Sequence, residues 1–334
     1  MINRSSFSIN YYTEQRHKGT FYTAVKMYLC AAAEYTKENK PAVQATMEQT
    51  PWWRRKSTQT SLWLGTSTIL VTAGAFLTFI PLLWMISTSL KEDGDVFLLP
   101  LQWWPRPIVW SNYPAALTYQ PFFRYFWNSV QVTFLCVIGA VWTASLVAYA
   151  FARLRAPGKN FLFAILLSTL MLPGEVTLVP IYLIFRALGW LDTYRPLIVP
   201  SWFGGSAFYI FLLRQFFMTL PTELDDAAKI DGANFFSIYG RILLPLSKPA
   251  LASVAVFAFF SNWSNFQAPL IYLTTIEKFT IPVGLRLYLS TIGNNMHWNY
   301  LMAATLVSII PPVLIFFTSQ RFFVEGAVLT GVKG

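Results

Sequence analysis

The stretch PTELDDAAKIDGANFFSIYGRILLPLSKPA, residues Pro221–Ala250, is a polar interruption between two long apolar runs. Thr222 and Asp225 have the spacing of a helix capping box, in which each side chain satisfies an unpaired N–H at the start of a helix. Gly232 stands where a residue with positive φ commonly ends a helix. The stretch is therefore predicted to contain a helix that begins at its acidic residues and stops at a glycine turn.

A second short helix is predicted after the turn. Asn234 is a favourable N-cap for residues 235–244, and Pro245 should stop that helix. In the first helix, four residues at i, i+3, i+4 and i+7 share one face, which would leave a smooth surface open to close approach. They are Leu224, Ala227, Ala228 and Asp231.

The composition indicates a membrane protein. Hydrophobic residues make up 55% of the 334 residues and charged residues 12%, against roughly 25% charged in a typical soluble domain. The net charge of +10 comes from basic residues that flank apolar runs, which fits a membrane protein and argues against nucleic acid as a partner. The two cysteines (Cys30, Cys136) and two histidines (His17, His297) suggest neither a disulfide framework nor a zinc or histidine-based catalytic site.

Apolar runs of sufficient length predict an all-α integral membrane protein with six transmembrane helices. The predicted spans are residues 62–89, 128–152, 161–185, 197–218, 246–272 and 301–319. The short loop after the second span carries Arg153, Arg155 and Lys159, and such a basic loop is typical of the cytoplasmic side. Both chain ends and the polar stretch between the fourth and fifth spans are then expected in the cytoplasm.

The predicted organisation has an N-terminal cytoplasmic segment (1–60), a transmembrane domain (61–326) that includes the polar stretch (219–250), and a C-terminal tail (327–334). Residues 1–46 contain no run that could span a bilayer. They are either a cytoplasmic extension or the result of a mis-assigned start, with translation beginning at Met47. The basic sequence MEQTPWWRRK from Met47 onward is a natural lead-in to a first span, which favours the second interpretation.

The fifth predicted span has an unusual polar centre. Five residues there are candidates for a substrate path: Asn262, Trp263, Ser264, Asn265 and Gln267. Amides in hydrocarbon need partners, so they should face either neighbouring helices or a water-filled path. An aromatic face can pack on a sugar ring while amides bind its hydroxyls, which is a chemical reason to consider carbohydrate.

Glu175 is a further candidate for the substrate path. It follows a Leu172-Pro173-Gly174 interruption of the third span, and an acid at membrane depth should face protein or water. It is either a pore or gate residue, or an outer-end residue beside a proline kink.

The run from Glu223 to Ala233, followed by Leu244-Pro245-Leu246 and Pro249-Ala250-Leu251, resembles the EAA loop of permease subunits of bacterial ABC importers. The resemblance implies that this loop is a coupling helix that docks into a cytoplasmic ATPase subunit. Asp226 stands where the family usually has Glu. The implied ATPase-docking residues are Glu223, Asp225, Asp226, Ala227, Ala228, Asp231, Gly232 and Ala233.

Other stretches resemble the carbohydrate-uptake branch of that family, and in particular the maltose-system permease with a short C-terminal tail. They are residues 172–180, 211–217, 269–272 and 320–326 and the Gly-Val-Lys-Gly ending. One departure lies in span five, where Trp263-Ser264-Asn265-Phe266 lacks the acid that the family commonly has. The missing acid argues against the same ligand contacts in this chain as in the family.

The resemblance implies a non-enzymatic transport subunit in a bacterial inner membrane. Its partners would be a second permease subunit, an ATPase dimer that holds ATP and Mg, an extracytoplasmic solute-binding protein, a sugar and membrane lipid. The chain itself has no P-loop motif and is expected to bind no cofactor. The alternatives are an ABC permease for a non-sugar solute and an ion-coupled secondary transporter, for which Glu175 is almost the only suitable ionisable residue.

Overall fold

A computed structural model of the protein describes residues 56–100, 102–289 and 296–331, and their regular structure is helical. The helices are α1 (Lys56–Ser89), α2 (Asn112–Tyr119), α3 (Phe122–Arg153), α4 (Lys159–Ser168), α5 (Gly174–Ala187), α6 (Arg195–Ile198), α7 (Ala207–Thr219), α8 (Glu223–Ile230), α9 (Phe235–Ile238), α10 (Leu244–Leu246), α11 (Lys248–Trp263), α12 (Gln267–Tyr272), α13 (Ile281–Arg286) and α14 (Trp298–Gly331). The two interpretations of residues 1–46 and Met47 lie outside the described residues.

Short irregular helical turns accompany these helices. A π turn at Tyr239–Leu243 joins α9 to α10, and 3₁₀ turns lie at Asp93–Asp95, Thr169–Met171, Val199–Trp202, Ile276–Lys278 and Leu287–Leu289. The loop before the last span contains α13 and the 3₁₀ turn that follows it.

Within the described ranges, four helical segments are long and apolar enough to cross a membrane, or up to six if each of two bent pairs is one span. The four are Trp63–Ser89, Phe122–Arg153, Arg195–Thr219 and Trp298–Gln320. The bent pairs are Lys159–Met171 with Gly174–Ala187, at 100°, and Phe235–Leu246 with Lys248–Trp263, at 79°. The first bend lies at the predicted Leu-Pro-Gly interruption.

Contacts divide the chain into two units, residues 1–80 and 81–334, with the boundary inside α1. In the first unit, the described side chains of α1 are largely exposed and apolar. Its hydroxyl groups bond to carbonyls of the same helix. Ser67 Oγ donates to the Leu64 carbonyl at 3.0 Å, and Thr68 Oγ1 donates to the same carbonyl at 2.7 Å. Such bonds satisfy hydroxyls where water is absent.

The second unit is built around α3. Small residues along α3 are buried and allow α7 and α11 to pack closely on it, as expected where helices associate in lipid. Ala144 and Ala148 are fully buried there. Gly205, with a φ of 62°, approaches the same helix so closely that an added Cβ would lie 3.0 Å from Ala140 Cβ. Gly205 therefore permits close packing of this segment against α3.

Side-chain hydrogen bonds to backbone hold together the end of this unit at which α3 begins. This end, called the far end here, comprises the start of α3, the α5–α6 loop and residues 272–279. Asn128 Nδ2 donates to the carbonyls of Glu277 and Phe279, each at 2.9 Å. Ser129 Oγ accepts from the Ile281 N–H at 2.8 Å. These bonds fix the segment after α12 against the first turns of α3.

Asp192 completes the far end. Its carboxylate accepts hydrogen bonds from Thr274 N at 3.0 Å, Thr275 N at 2.9 Å and Thr275 Oγ1 at 2.6 Å, and it pairs with Lys278 Nζ at 2.8 Å. The hydrogen bonds from Lys278 and Thr275 hold the pKa of Asp192 well below its usual range. The α5–α6 loop is thus latched to the segment that follows α12.

We predict that Asp192→Asn lowers the melting temperature of the detergent-purified protein by a few degrees at pH 7. A carboxylate with a depressed pKa stabilises the fold above the ordinary aspartate pKa of about 4 and loses that effect as the pH falls towards the folded-state pKa. The difference between wild type and variant should therefore be constant from pH 6 to 8 and shrink below about pH 4. A difference independent of pH would contradict the latch.

We also predict that Gly139→Ala destabilises the protein by about 1–3 kcal/mol, because overpacking forces neighbours to move. The added Cβ would lie 2.6 Å from Trp202 Cδ1. Gly74→Ala is the matched control, since its Cβ meets nothing within 4 Å and alanine favours a helix. Thermal unfolding in one detergent should show a loss only for the first variant; equal behaviour would refute the close approach.

Candidate functional site

The polar loop, defined here as residues 220–247, forms the predicted helix, glycine turn and cap. After α8, Gly232 has a φ of 79°, which a glycine adopts without strain. Asn234 then caps α9, because its Oδ1 accepts a hydrogen bond from the Ser237 N–H at 2.8 Å. These two predictions are confirmed.

The predicted capping box is wrong. Thr222 has helical backbone angles, φ −75° and ψ −19°, and makes no side-chain capping bond, whereas a capping side chain normally requires extended backbone at that position. Asp225 turns instead toward the end of α3, where its Oδ2 lies 3.4 Å from Arg153 Nε.

The prediction that Pro245 stops the second helix is also wrong. Helical backbone continues from α9 through the π turn and α10 to Leu246. Pro245 lies in the first turn of α10, where its missing N–H and fixed φ are tolerated. The direction of the chain changes only at Ser247, where the helices on either side meet at 79°.

The polar loop is anchored to α3 at several points. Arg153 Nη2 donates to the Leu220 carbonyl at 2.8 Å, and Tyr149 Oη donates to the Phe235 carbonyl at 3.2 Å. Ser145 Oγ and Tyr239 Oη share a hydrogen bond of 2.7 Å. The loop is therefore a rigid extension of the helix bundle.

The candidate docking residues divide between two faces of the loop. Asp225 and Ala228 are buried inside the protein, and Ala233 is half-buried. The exposed members of the set are Glu223, Asp226, Ala227, Asp231 and Gly232. The face inferred from Leu224, Ala227, Ala228 and Asp231 is thus not a single open surface, because Ala228 packs into the core.

Two large apolar residues on the exposed face were missed by the sequence reasoning. Ile230 is 87% exposed and Phe236 is 79% exposed. The signal was present, since each is an apolar side chain in a stretch that is otherwise polar. Exposed apolar patches rimmed by polar residues mark protein interaction sites, so these two residues are candidates for such a contact.

The charges on α8 follow the helix dipole. Glu223, Asp225 and Asp226 lie in its first turn and Lys229 in its last, and both placements stabilise a helix. Lys229 Nζ also lies 2.9 Å from Asp226 Oδ1, but both side chains are more than half exposed, so this pair contributes little to stability.

The polar centre of the fifth predicted span is a break in the helix. α11 ends at Trp263, and α12 begins at Gln267. One of the predicted amides serves this break, because Asn265 Oδ1 accepts from the Ala268 N–H at 3.2 Å. Asn262 Nδ2 instead donates to the Ala258 carbonyl at 2.7 Å, one turn earlier in its own helix. The break therefore supplies its own hydrogen-bond partners.

Trp263 packs inside the protein. Its side chain is stacked on Phe259, with ring centroids 5.4 Å apart, and meets the edge of Phe126 at 5.7 Å. Its Nε1 donates to the Ser308 carbonyl of α14 at 3.2 Å. This is the interhelical contact that the sequence offered as the alternative to a substrate-facing aromatic ring.

The remaining path candidates differ in exposure. Ser264 and Gln267 are exposed, while Asn262 and Asn265 are half-buried beside a small polar recess. That recess has a volume of about 10 Å³ and is also lined by Ser129, Thr133 and Thr280. Glu175, in the first turn of α5, is exposed and has no hydrogen bond or ion pair within the part of the chain that the structure describes.

Comparison with known proteins gives consistent matches. Residues 140–327 match the family model described as binding-protein-dependent transport system inner membrane component. The arabinooligosaccharides transport system permease of Halalkalibacterium halodurans is 34% identical over 78% of this chain and 93% of its own length. The sn-glycerol-3-phosphate transport system permease of Yersinia pestis is 35% identical over 78% of this chain and 94% of its own.

A solved structure shares the fold. A chain of a bacterial ABC transporter involved in the import of the acidic polysaccharide alginate aligns with a TM-score of 0.71, at 24% identity, over 82% of this chain and 100% of that one. The family match extends over more than half of the protein and includes the polar loop. The chain therefore belongs to the binding-protein-dependent transport system inner membrane component family, the multi-pass permease subunits of bacterial ABC importers.

Proposed function

We propose that this chain is one of two permease subunits of an ATP-driven importer that moves a sugar or oligosaccharide across the cytoplasmic membrane. The observation that carries the proposal is the polar loop: it has the EAA-like sequence, it is bonded rigidly to α3, and it exposes an apolar face rimmed by acids. The family match and the names of the relatives support the same function.

The proposed topology has six spans, with both chain ends and the polar loop in the cytoplasm. Each bent helix pair then counts as one span. The loop between α3 and α4 carries Arg153, Arg155 and Lys159, which favours the cytoplasmic side. The polar loop lies at the same end as that basic loop, because Arg153 contacts both Leu220 and Asp225.

The exposed face of the polar loop is the proposed docking surface for the ATPase. Ile230 and Phe236 supply the apolar contact, since apolar groups at the centre of an interface carry most of its binding energy. Asp226 and Asp231 form the acidic rim. ATP and Mg bind to the partner ATPase dimer, and closure of that dimer would displace the loop.

The displacement would reach the substrate path through one continuous segment. α8, α9 and α10 lead directly into α11, and α11 ends at the polar break between Trp263 and Gln267. Ile238 and Leu243 are about 1% exposed, so this part of the loop cannot move without its neighbours. A coupled two-state motion of packed helices is the expected result.

The proposed substrate path runs along the break. Ser264 and Gln267 present hydrogen-bonding groups at its exposed side, and Asn262 and Asn265 lie behind them. Trp263, the last residue of α11, packs against α14 and forms the wall of the path. Glu175 adds a polar group at the bend of the third span. Hydroxyl and amide groups of this kind suit a polyhydroxylated solute delivered by an extracytoplasmic binding protein.

A second candidate cargo has a specific basis. One relative at 35% identity is named for sn-glycerol-3-phosphate, so a phosphorylated, non-sugar solute is the alternative. Uptake by proteoliposomes that contain the complete importer and its binding protein decides between them. Saturable ATP-dependent uptake of neutral oligosaccharides supports the sugar; uptake of sn-glycerol-3-phosphate alone supports the alternative.

We predict that Ile230→Asp weakens capture of the ATPase subunits by roughly 10–100-fold, because burial of such a side chain contributes about 1.5–3 kcal/mol. Co-purification of the ATPase with the tagged permease measures this. Ile276→Asp is the matched control, since Ile276 is an exposed isoleucine at the far end. Wild-type capture by Ile230→Asp would refute the docking surface.

We predict that Gln267→Ala lowers uptake of the transported solute by about 2–10-fold, the loss expected for one hydrogen bond of 0.5–1.5 kcal/mol. ATPase capture should stay at the wild-type level. Gln215→Ala, an exposed glutamine on α7, serves as the control and should transport normally. An unchanged half-saturating concentration and rate for Gln267→Ala would remove this residue from the path.

A further inference from the structure

Arg153 and Asp225 form a buried contact between α3 and α8. Arg153 is the last residue of α3, and its side chain is 6% exposed; the Asp225 side chain is 10% exposed. One nitrogen, Nη2, donates to the Leu220 carbonyl at 2.8 Å, and Nε lies 3.4 Å from Asp225 Oδ2. A single guanidinium group therefore touches both the start of the polar loop and its first helix.

This contact is a poor stabilising device. Taking two charges out of water is costly, and a buried ion pair compensates only when its remaining polar atoms are also satisfied. Here Arg153 Nε and Asp225 Oδ1 are buried without a hydrogen-bond partner. Well-packed apolar residues commonly stabilise a protein as well as or better than such a pair. A role other than stability is needed to explain it.

The contact does define the orientation of α8. This helix has eight residues, which is too short to be stable alone in water. Asp225 and Ala228, one turn apart, are its inward-facing residues, and the alanine offers no directional bond. The ion pair is thus the polar contact that favours this orientation of α8. Asp226 and Ile230 lie on that outward face.

We propose that Arg153 and Asp225 are positioning residues that lock α8 to the end of the second span, so that docking surface and helix bundle move together. This rests on the proposed ATPase-docking function of the exposed face. It also gives Asp225 a different role from direct ATPase contact, because its carboxylate points into the protein.

The test uses the complete importer, with both permeases, the ATPase dimer and the binding protein, reconstituted in proteoliposomes. Arg153→Met and Asp225→Asn each break the pair. We expect both to retain the ATPase subunits but to transport at least tenfold less solute per ATP hydrolysed. Arg155→Met, an exposed arginine two residues further along, is the matched control and should be coupled normally.

Two double variants separate positioning from stability. The exchange Arg153→Asp with Asp225→Arg should restore part of the lost coupling. The apolar pair Arg153→Met with Asp225→Leu should restore the melting temperature, since no buried charge remains unpaired, while transport per ATP stays low. Recovery of coupling in the apolar pair, or normal coupling in the single variants, would overturn the proposal. Loss of the ATPase in the single variants without recovery in the exchange would overturn it too.

Failure of the proposed docking function gives a different pattern. In that case Ile230→Asp would leave ATPase capture unchanged. If only the positioning role fails, Ile230→Asp still weakens ATPase capture, but Arg153→Met and Asp225→Asn transport solute as the wild type does.

Discussion

A bilayer offers no partner to a backbone N–H or C=O group, so each group within it must be satisfied by the protein itself. Some of the interruptions of helix in the described part of the chain follow that constraint. At the break after α11, Asn265 Oδ1 takes the free Ala268 N–H; at the start of α7, Ser206 Oγ takes the Phe208 N–H at 3.3 Å. At the start of the polar loop, just beyond the proposed fourth span, Arg153 likewise occupies the Leu220 carbonyl. At these breaks a side chain replaces the lost bond, whereas Pro173 before α5 and Ser247 before α11 make no side-chain capping bond.

The same environment explains why α3 dominates the structure. Lipid tails are as apolar as leucine, so helices associate through close packing and polar bonds rather than by a hydrophobic drive. α3 combines the two. Ala144 and Ala148 are buried in its C-terminal half. Near its start, Asn128 and Ser129 bond to the backbone of Glu277 and Ile281, and at its end Arg153 bonds to the polar loop. One helix therefore touches both the proposed docking element and the polar recess beside the break in span five.

Local signals were sufficient for much of the fold. The turn at Gly232, the cap at Asn234 and the interruption before Glu175 each depend on a few neighbouring residues, and each was predicted from them. The contacts that were not predicted involve partners distant in sequence. Thr222 and Asp225 have capping-box spacing, but an arginine 72 positions earlier takes the carboxylate. Trp263 was a candidate for sugar contact, and a carbonyl 45 positions later holds its indole. The Asp192 latch spans more than 80 positions and had no sequence signal beyond an aspartate in a turn.

In the proposed substrate path, charge discriminates between the two candidate cargoes where similarity does not, because relatives of nearly equal identity are named for an oligosaccharide and for a phosphorylated solute. Phosphate recognition depends on arginine or lysine. No basic residue occurs between Lys248 and Lys278, which bracket the whole polar break, and Lys278 is already paired with Asp192. The exposed groups at the break, Ser264 and Gln267, are neutral. A dianionic phosphate would therefore meet no compensating charge from span five, whereas neutral hydroxyls would find both donors and acceptors, which favours the sugar.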